Sequence, residues 1–362
     1  MAALRSMLEA RQPVTVLDVR KSEDRAEWAI PGSVHFDAYD ALKAGDPRAL
    51  DSVALPHEVP VVTVCGAGKV SLVAMAQLQA RGYDARSLAG GMKAWSLAWN
   101  TADAPVPDTT ATVVQVRRTG KGCLSYLVGD EGEAMVIDAA LPPAVYQQLA
   151  AARGWAIAHV LETHVHADHL SRARQLAAAT GATLHLPAQD RLRYPFVPVN
   201  DGDAFRVGRA QLAARRTPGH TLESTSYVLD GVAVFTGDTL FLSGVGRPDL
   251  DASPEEARTR ARLLHRSLRT LLTFPPATMI LPGHTGAPAA FDGQPIAATL
   301  GEVIDGVAML ALPEEAFIEA ILARIPPTPP NHARIVDLNE RGEMPADDPT
   351  DLEAGANRCA VS

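Results

Sequence analysis

The N-terminal part of the chain alternates short continuous apolar runs with helical periodicity. Residues 14–17 and 59–64 are β-branched runs of the kind that form strands buried on both faces. The segment Val70–Ala80 recurs with a helical period. Such alternation predicts a small α/β domain with a parallel sheet. Residues 100–110 then break the pattern with two prolines, small polar residues and no apolar period, as a linker does. Beyond them the runs lengthen into strands and hairpins. Thr225–Leu229 and residues 232–235 flank Asp230-Gly231, a pair that favours a tight turn. Ser253-Pro-Glu-Glu256 forms a capping box, predicting a helix from there to about Leu272. Two more helices are expected over 295–310 and 313–325, followed by a proline-rich stretch at 326–330 and a polar tail.

The pattern divides the chain into residues 1–103, a linker at 104–110, a second domain at 111–290, and C-terminal helices and tail at 291–362. Composition narrows the function. With 47% hydrophobic and 21% charged residues the chain can bury a sizeable core, and its net charge of −9 disfavours nucleic acid as a partner. No stretch approaches the roughly 20 apolar residues of a membrane span. Charges at Arg5 and Glu9 interrupt the place of a signal peptide's apolar region, so a cytoplasmic location is expected. The oligomeric state stays open, a homo-oligomer included. Cys65, Cys123 and Cys359 are too scattered for a disulfide framework, and thiols are expected.

Chemistry concentrates in a few strings. His164-Val-His166-Ala-Asp168-His169 follows a strand-like run at 159–163 and precedes helical periodicity over 167–179. His220 lies in Pro-Gly-His-Thr, His284 in a second Pro-Gly-His-Thr, and Asp238 in Phe235-Thr-Gly-Asp-Thr-Leu-Phe241. Imidazole and carboxylate ligands suit zinc, iron(II) or manganese, and the absence of cysteine from these strings argues against a closed structural zinc site.

These strings resemble the metallo-β-lactamase superfamily from about Thr110 to Pro288, with Asp138 matching that fold's structural aspartate. The resemblance implies an αββα sandwich with metal at the edge of both sheets. Two branches follow from it. Hydroxyacylglutathione hydrolases use seven such ligands for two metals, here two zinc ions. Persulfide dioxygenases bind one Fe(II) through the positions of His164, His220 and Asp238, a facial triad with positions open for O2 and substrate. His166, Asp168, His169 and His284 then act around that site or as remains of a second one. Gly244-Val-Gly-Arg247-Pro-Asp249 resembles the dioxygenases, although Thr285-Gly286 stands where many of them carry Asp-Tyr. Arg247, Asp249 and Cys123 are candidates for the substrate pocket, and a packed strand cysteine is the plainer reading of Cys123. Cys359, near the terminus, is assigned no role.

The loop Cys65-Gly66-Ala67-Gly68-Lys69-Val70-Ser71 sits between a strand and a helix N-terminus. Backbone N–H groups, the helix end and Lys69 would stabilise a thiolate there and any anion beside it. With Val16-Leu-Asp-Val-Arg20, Ile30-Pro-Gly-Ser-Val-His35 and Leu88-Ala-Gly-Gly-Met-Lys-Ala-Trp95, this half resembles a single-domain rhodanese, and its loop length is that of the sulfurtransferases. It departs from the family at Val70, where arginine is frequent, and at Ala29, where histidine is usual. The implied whole is an N-terminal rhodanese-like parallel-sheet domain, a metallo-β-lactamase sandwich and a C-terminal helical extension. The expected activity is oxidation of persulfides such as glutathione persulfide to sulfite. Sulfur transfer at Cys65 accompanies it, with glutathione or another small thiol, thiosulfate, sulfite and O2 as partners. The alternative is a two-metal thioesterase carrying a sulfur-transfer domain.

Overall fold

The computed structural model describes residues 1–362. Its N-terminal part holds a four-stranded parallel sheet in the order Val34–His35, Thr15–Asp18, Val61–Val64, Ala85–Ser87. Val61–Val64 is buried at every position, as a central strand covered on both faces must be. The helix Val70–Ala80 has the expected bounds and starts directly after the cysteine loop. Arg20 forks onto Asp18 and also donates to the carbonyls of Asp24 and Trp28, so this buried pair ties the first strand to the chain that follows it.

Two larger sheets face each other in the second part. One has seven strands, from Val197–Val199 at one edge through Thr183–Pro187, Ala156–Leu161, Glu133–Ile137, Cys123–Asp130 and Thr112–Arg118 to Asn100–Ala104. The other has six, with Ala210–Arg216, Thr225–Leu229, Ala233–Gly237 and Met279–Pro282 at its centre. Tyr126, Met135, Leu212, Tyr227 and Phe235 fill the space between the sheets. The outer faces are covered by Pro143–Ala151 and Ala173–Thr180 on the first sheet and by Pro254–Leu271 on the second. The last helix turns Ala257, Ala261, Leu264, Leu268 and Leu271 inward, a spacing that keeps one face on the core. Its Ser253–Glu256 capping box forms as the sequence predicts. Asp230 and Gly231 both take positive φ in the hairpin turn, which is what that pair favours.

Three expectations change. Asn100–Ala104, expected to end the first domain and begin the linker, is instead the edge strand of the second part's sheet, paired antiparallel with Thr112–Arg118. Its alternating burial suits a sheet edge, and its small residues hid that period in the sequence. The helix after the metal motif starts at Ala173 rather than 167, because the residues before it bond to other parts of the chain. The segment expected as one helix over 295–310 is a strand pair at Ala298–Thr299, a helix at Leu300–Gly306 and a tight turn of helix at Ala308–Ala311. Thr299 and Glu302 form a second capping box, which sets the helix start.

The polar tail is also structured. It forms the helices His332–Arg341 and Thr350–Glu353, and Ala360–Val361 pairs with Val245–Gly246. No helix of the chain is long and apolar enough to cross a membrane.

Candidate metal centre and cysteine loop

The ligand-bearing loops gather at one end of the facing sheets, each positioned by the strand before it. Asp138 follows Glu133–Ile137 with φ of 54°, a strained value for a residue with a side chain. The strain places its carboxylate to accept from the Thr163 backbone N–H at 2.7 Å and the Thr163 hydroxyl at 2.8 Å. Thr163 Oγ1 in turn accepts from His164 Nδ1 at 2.9 Å, leaving His164 Nε2 turned inward without a partner. His220 Nδ1 donates to the Arg247 carbonyl at 2.8 Å, which likewise commits its other nitrogen to the site. Asp238 follows Gly237, whose φ is 49° and whose missing Cβ would lie 2.6 Å from Thr163 Oγ1. Only glycine permits this approach of the two sheets' loops.

His164 Nε2 and His220 Nε2 lie 3.8 and 3.6 Å from Asp238 Oδ2, and that oxygen has no hydrogen-bond partner. Two imidazole nitrogens and a carboxylate oxygen, buried and converging, fit a cation. Burial and neighbouring histidines hold His164 well below the ordinary imidazole range, and burial also lowers His220. Both therefore present neutral, ligating nitrogens. Burial would raise the Asp238 carboxyl, but His284 and then His164 and His220 hold it well below its usual range.

The other motif residues lie in a more acidic setting. His284 Nδ1 donates to Asp238 Oδ1 at 2.5 Å, and its Nε2 lies 3.0 Å from Asp168 Oδ2. His169 Nδ1 donates to Asp168 Oδ1 at 3.0 Å, and Cys123 Sγ sits 3.5 Å from Asp168 Oδ2. His166 Nε2 donates to Glu162 at 2.7 Å. Burial disfavours the imidazolium at His166 and His284, but Glu162 with Asp138, and Asp168 with Asp238, outweigh it. Both histidines are held well above their ordinary range. Burial raises the Cys123 thiol, yet His169 brings it down to about 6. His166 Nδ1, His169 Nε2 and His284 Nε2 have no hydrogen-bond partner, so this half also retains atoms free for a second cation.

Arg247 and Asp249 act on the site at one remove. The guanidinium is fully buried, forks onto Asp249 at 2.8 Å through both bonds, and donates to the carbonyls of Pro327 and Arg358. It clamps the loop whose carbonyl orients His220. Gly246 belongs to the same loop, and a Cβ there would fall 1.9 Å from the Asp238 carbonyl.

The tail contributes residues that no sequence motif marked. Asn357 donates to Asp168 at 2.9 Å. Asn339 donates to the carbonyls of His166 and His169 at 2.8 and 2.9 Å. Glu353, fully buried, receives Arg118, Arg172 and the Leu170 backbone N–H. Cys359 is buried beside Asp238 and His284, close enough to be grouped with them as a metal-binding set, and not in a loose terminus as expected.

The match to the metallo-beta-lactamase superfamily runs over residues 118–284, and a rhodanese-like domain matches residues 1–98. The hydroxyacylglutathione hydrolase of Methylococcus capsulatus is 36% identical over 207 residues, covering 55% of this chain and 77% of that enzyme. The chain belongs to the metallo-beta-lactamase superfamily. A hydroxyacylglutathione hydrolase of Cereibacter sphaeroides shares 37% identity over 45% of the chain and 64% of its own length. Among solved superfamily structures, ETHE1 from Myxococcus xanthus superposes with a TM-score of 0.55 at 31% identity, covering 64% of this chain and 98% of that one. A metallo-beta-lactamase from Staphylococcus aureus gives 0.60 at 28%, covering 66% and 75%.

Beside the superfamily's metal edge lies a cleft of about 370 Å3 that opens on His220. Val165, Ala167, Leu222 and Val336 supply apolar wall, while Arg191, Arg260, Glu223, Glu340, Asp251 and Asp337 supply charges of both signs. Part of this wall comes from the tail helix His332–Arg341.

In the rhodanese-like part, Cys65 Sγ accepts from the Gly68 N–H at 3.2 Å and lies 3.3 Å from Ser71 Oγ. The N–H groups of Met92 and Lys93 hold the carbonyls of Cys65 and Gly66, fixing the loop against Gly91–Trp95. Gly66, Ala67 and Lys69 are exposed and Val70 is partly buried, while the sulfur's own residue is buried. One backbone donor reaches the sulfur where several were expected.

Proposed function

We propose that the chain oxidises low-molecular-weight persulfides, glutathione persulfide above all, to sulfite at the His164–His220–Asp238 site, and that Cys65 transfers sulfane sulfur. The carrying observation is the convergence of two neutral imidazoles and one carboxylate whose inward atoms lack partners. Its presence on one chain with a rhodanese-like cysteine loop supports a sulfur substrate. Iron(II) in such a triad supplies O2 activation and a place for sulfur to bind.

The chain's own residues do the rest. Thr163 and the Arg247 carbonyl fix the two ring orientations. The cleft has the size of small-molecule sites, about 300–1,000 Å3. Its paired charges suit a zwitterionic thiol, with Arg191 and Arg260 for carboxylates and Glu223 or Asp337 for an ammonium. Overall, one persulfide, one O2 and one water give one thiol and sulfite, the sulfane sulfur losing the electrons that O2 gains. At Cys65 the thiolate attacks the outer sulfur of thiosulfate and sulfite leaves with the S–S bonding pair. A small thiolate then takes that sulfur, releasing Cys65 and forming the persulfide.

The test is oxygen uptake by iron-loaded chain given glutathione persulfide. Consumption of O2 with matching sulfite supports the reading. Cleavage of a hydroxyacyl thioester of glutathione without O2 consumption would sink it. That second reading draws support from the hydrolase relatives and from the unpartnered His169 Nε2 and His284 Nε2. Replacing Cys65 by Ser should abolish thiosulfate-to-thiol sulfur transfer, and unchanged transfer would leave the N-terminal part a docking module.

A further inference from the structure

A second cleft, of about 210 Å3, lies where the two parts of the chain meet. Its walls include Glu27 from the rhodanese-like part, Leu352, Ala354 and Arg358 from the tail, and Lys121 from the turn before Cys123. Its inner end reaches Asp168, part of the metal edge. Lys121 is only 5% exposed, and its ammonium makes no hydrogen bond or ion pair with the chain. Its backbone is held in place, since the N–H groups of Lys121 and Gly122 both donate to the Arg118 carbonyl.

That ammonium opens onto the cleft unpaired, so a small anion there gains a charge-assisted contact without displacing a partner from the chain. The acids facing the cleft are already engaged. Glu27 is paired with Arg358, and Asp168 with His169, His284 and Asn357. The unmatched charge in the cleft is thus the cation of Lys121.

We propose that this cleft is a binding site for a small sulfur oxyanion, sulfite or thiosulfate, held by Lys121 with Arg358 at its mouth. That the ligand is an anion follows from Lys121. That it is a sulfur oxyanion rests on the persulfide reading, in which sulfite forms at the metal edge and is a reactant or product at Cys65. The location suits passage between the two sites. The tail helix Thr350–Glu353 that helps wall the cleft also packs on Gly91–Trp95, where Lys93 pairs with Asp351 and donates its N–H to Gly66 in the Cys65 loop.

The test is equilibrium dialysis of the metal-loaded full chain with radiolabelled sulfite. A parallel arm uses thiosulfate on a Cys65→Ser background, which prevents covalent capture, and further arms use sulfate and inorganic phosphate. Lys121→Gln should weaken sulfite and thiosulfate binding at least about tenfold, the loss expected when one charge-assisted contact is removed. Lys121→Arg should retain most of it, and thermal melts of both variants should match the parent. Equal sulfite binding by parent and Lys121→Gln overturns the site. Equal affinity for sulfate and phosphate overturns the assignment to sulfur oxyanions while leaving an anion site. Oxygen uptake on the same samples separates the two claims. A chain that hydrolyses thioesters yet binds an anion through Lys121 contradicts the metal-centre reading alone.

Discussion

His164 and His220 are neutral, and each is turned by one hydrogen bond so that its remaining nitrogen faces Asp238. His166 and His284, on the adjacent side, are each flanked by two carboxylates, which raise them well above their ordinary range. Both sides are built from the same residue types and both are buried. The difference lies in what stands behind each ring. A hydroxyl or a carbonyl behind a histidine leaves it a base ready for metal, whereas paired carboxylates compete with metal for the imidazole by favouring its proton. Ligand identity alone, which the two sides share, does not separate them.

Replacing Asp238 by Asn strikes the first side. Persulfide-dependent oxygen uptake should fall more than about a hundredfold, beyond what loss of an orienting partner causes. A smaller fall would mean that the acidic side carries the chemistry.

Next in size is Glu353→Gln, which removes the carboxylate shared by Arg118 and Arg172 beneath the acidic side. Breaking a buried pair of this kind costs about 3 kcal/mol, readable by denaturant unfolding. Burial raises the Glu353 carboxyl, but Arg118 and Arg172 hold it well below the usual range. A depressed folded pKa stabilises the fold above the unfolded value, near pH 4.3 for glutamate, and that share is lost as pH falls further. The parent should lose stability below about pH 4 more steeply than Glu353→Gln.

Arg247→Met should then lower metal affinity about tenfold in chelator competition, by freeing the loop whose carbonyl holds His220. Smallest is Cys123→Ser. With one metal on the neutral side, affinity should change less than about tenfold, under the range for residues that orient a ligand. A larger loss would make Cys123 a ligand and give the acidic side a metal of its own.

Much of this was legible in the sequence because it is local. The seven motif residues from His164 to His284, the Val70–Ala80 helix, the Asp230-Gly231 turn and the Ser253 capping box follow from short-range spacing, and each forms. What stands behind the ligands is not local. Glu353 meets Arg118 and Arg172 across most of the chain, and Asn357 and Cys359 reach the metal edge only because Ala360–Val361 pairs with Val245–Gly246. A tail of polar residues after a proline-rich stretch carries no period to signal that docking. Lys121 carries no local signal for a similar reason, since a lysine in a glycine turn is ordinarily solvated and only the folded tail encloses it. Arg247 and Asp249 were singled out for the pocket, and the structure places them behind His220 instead.

The most direct measurement is the metal content of the parent chain, Asp238→Ala and Asp168→Ala, each purified with iron and zinc both available. A mononuclear His164–His220–Asp238 centre requires one iron per chain, kept in Asp168→Ala and lost in Asp238→Ala. Two metals per chain in the parent, with one lost in Asp168→Ala, would contradict it.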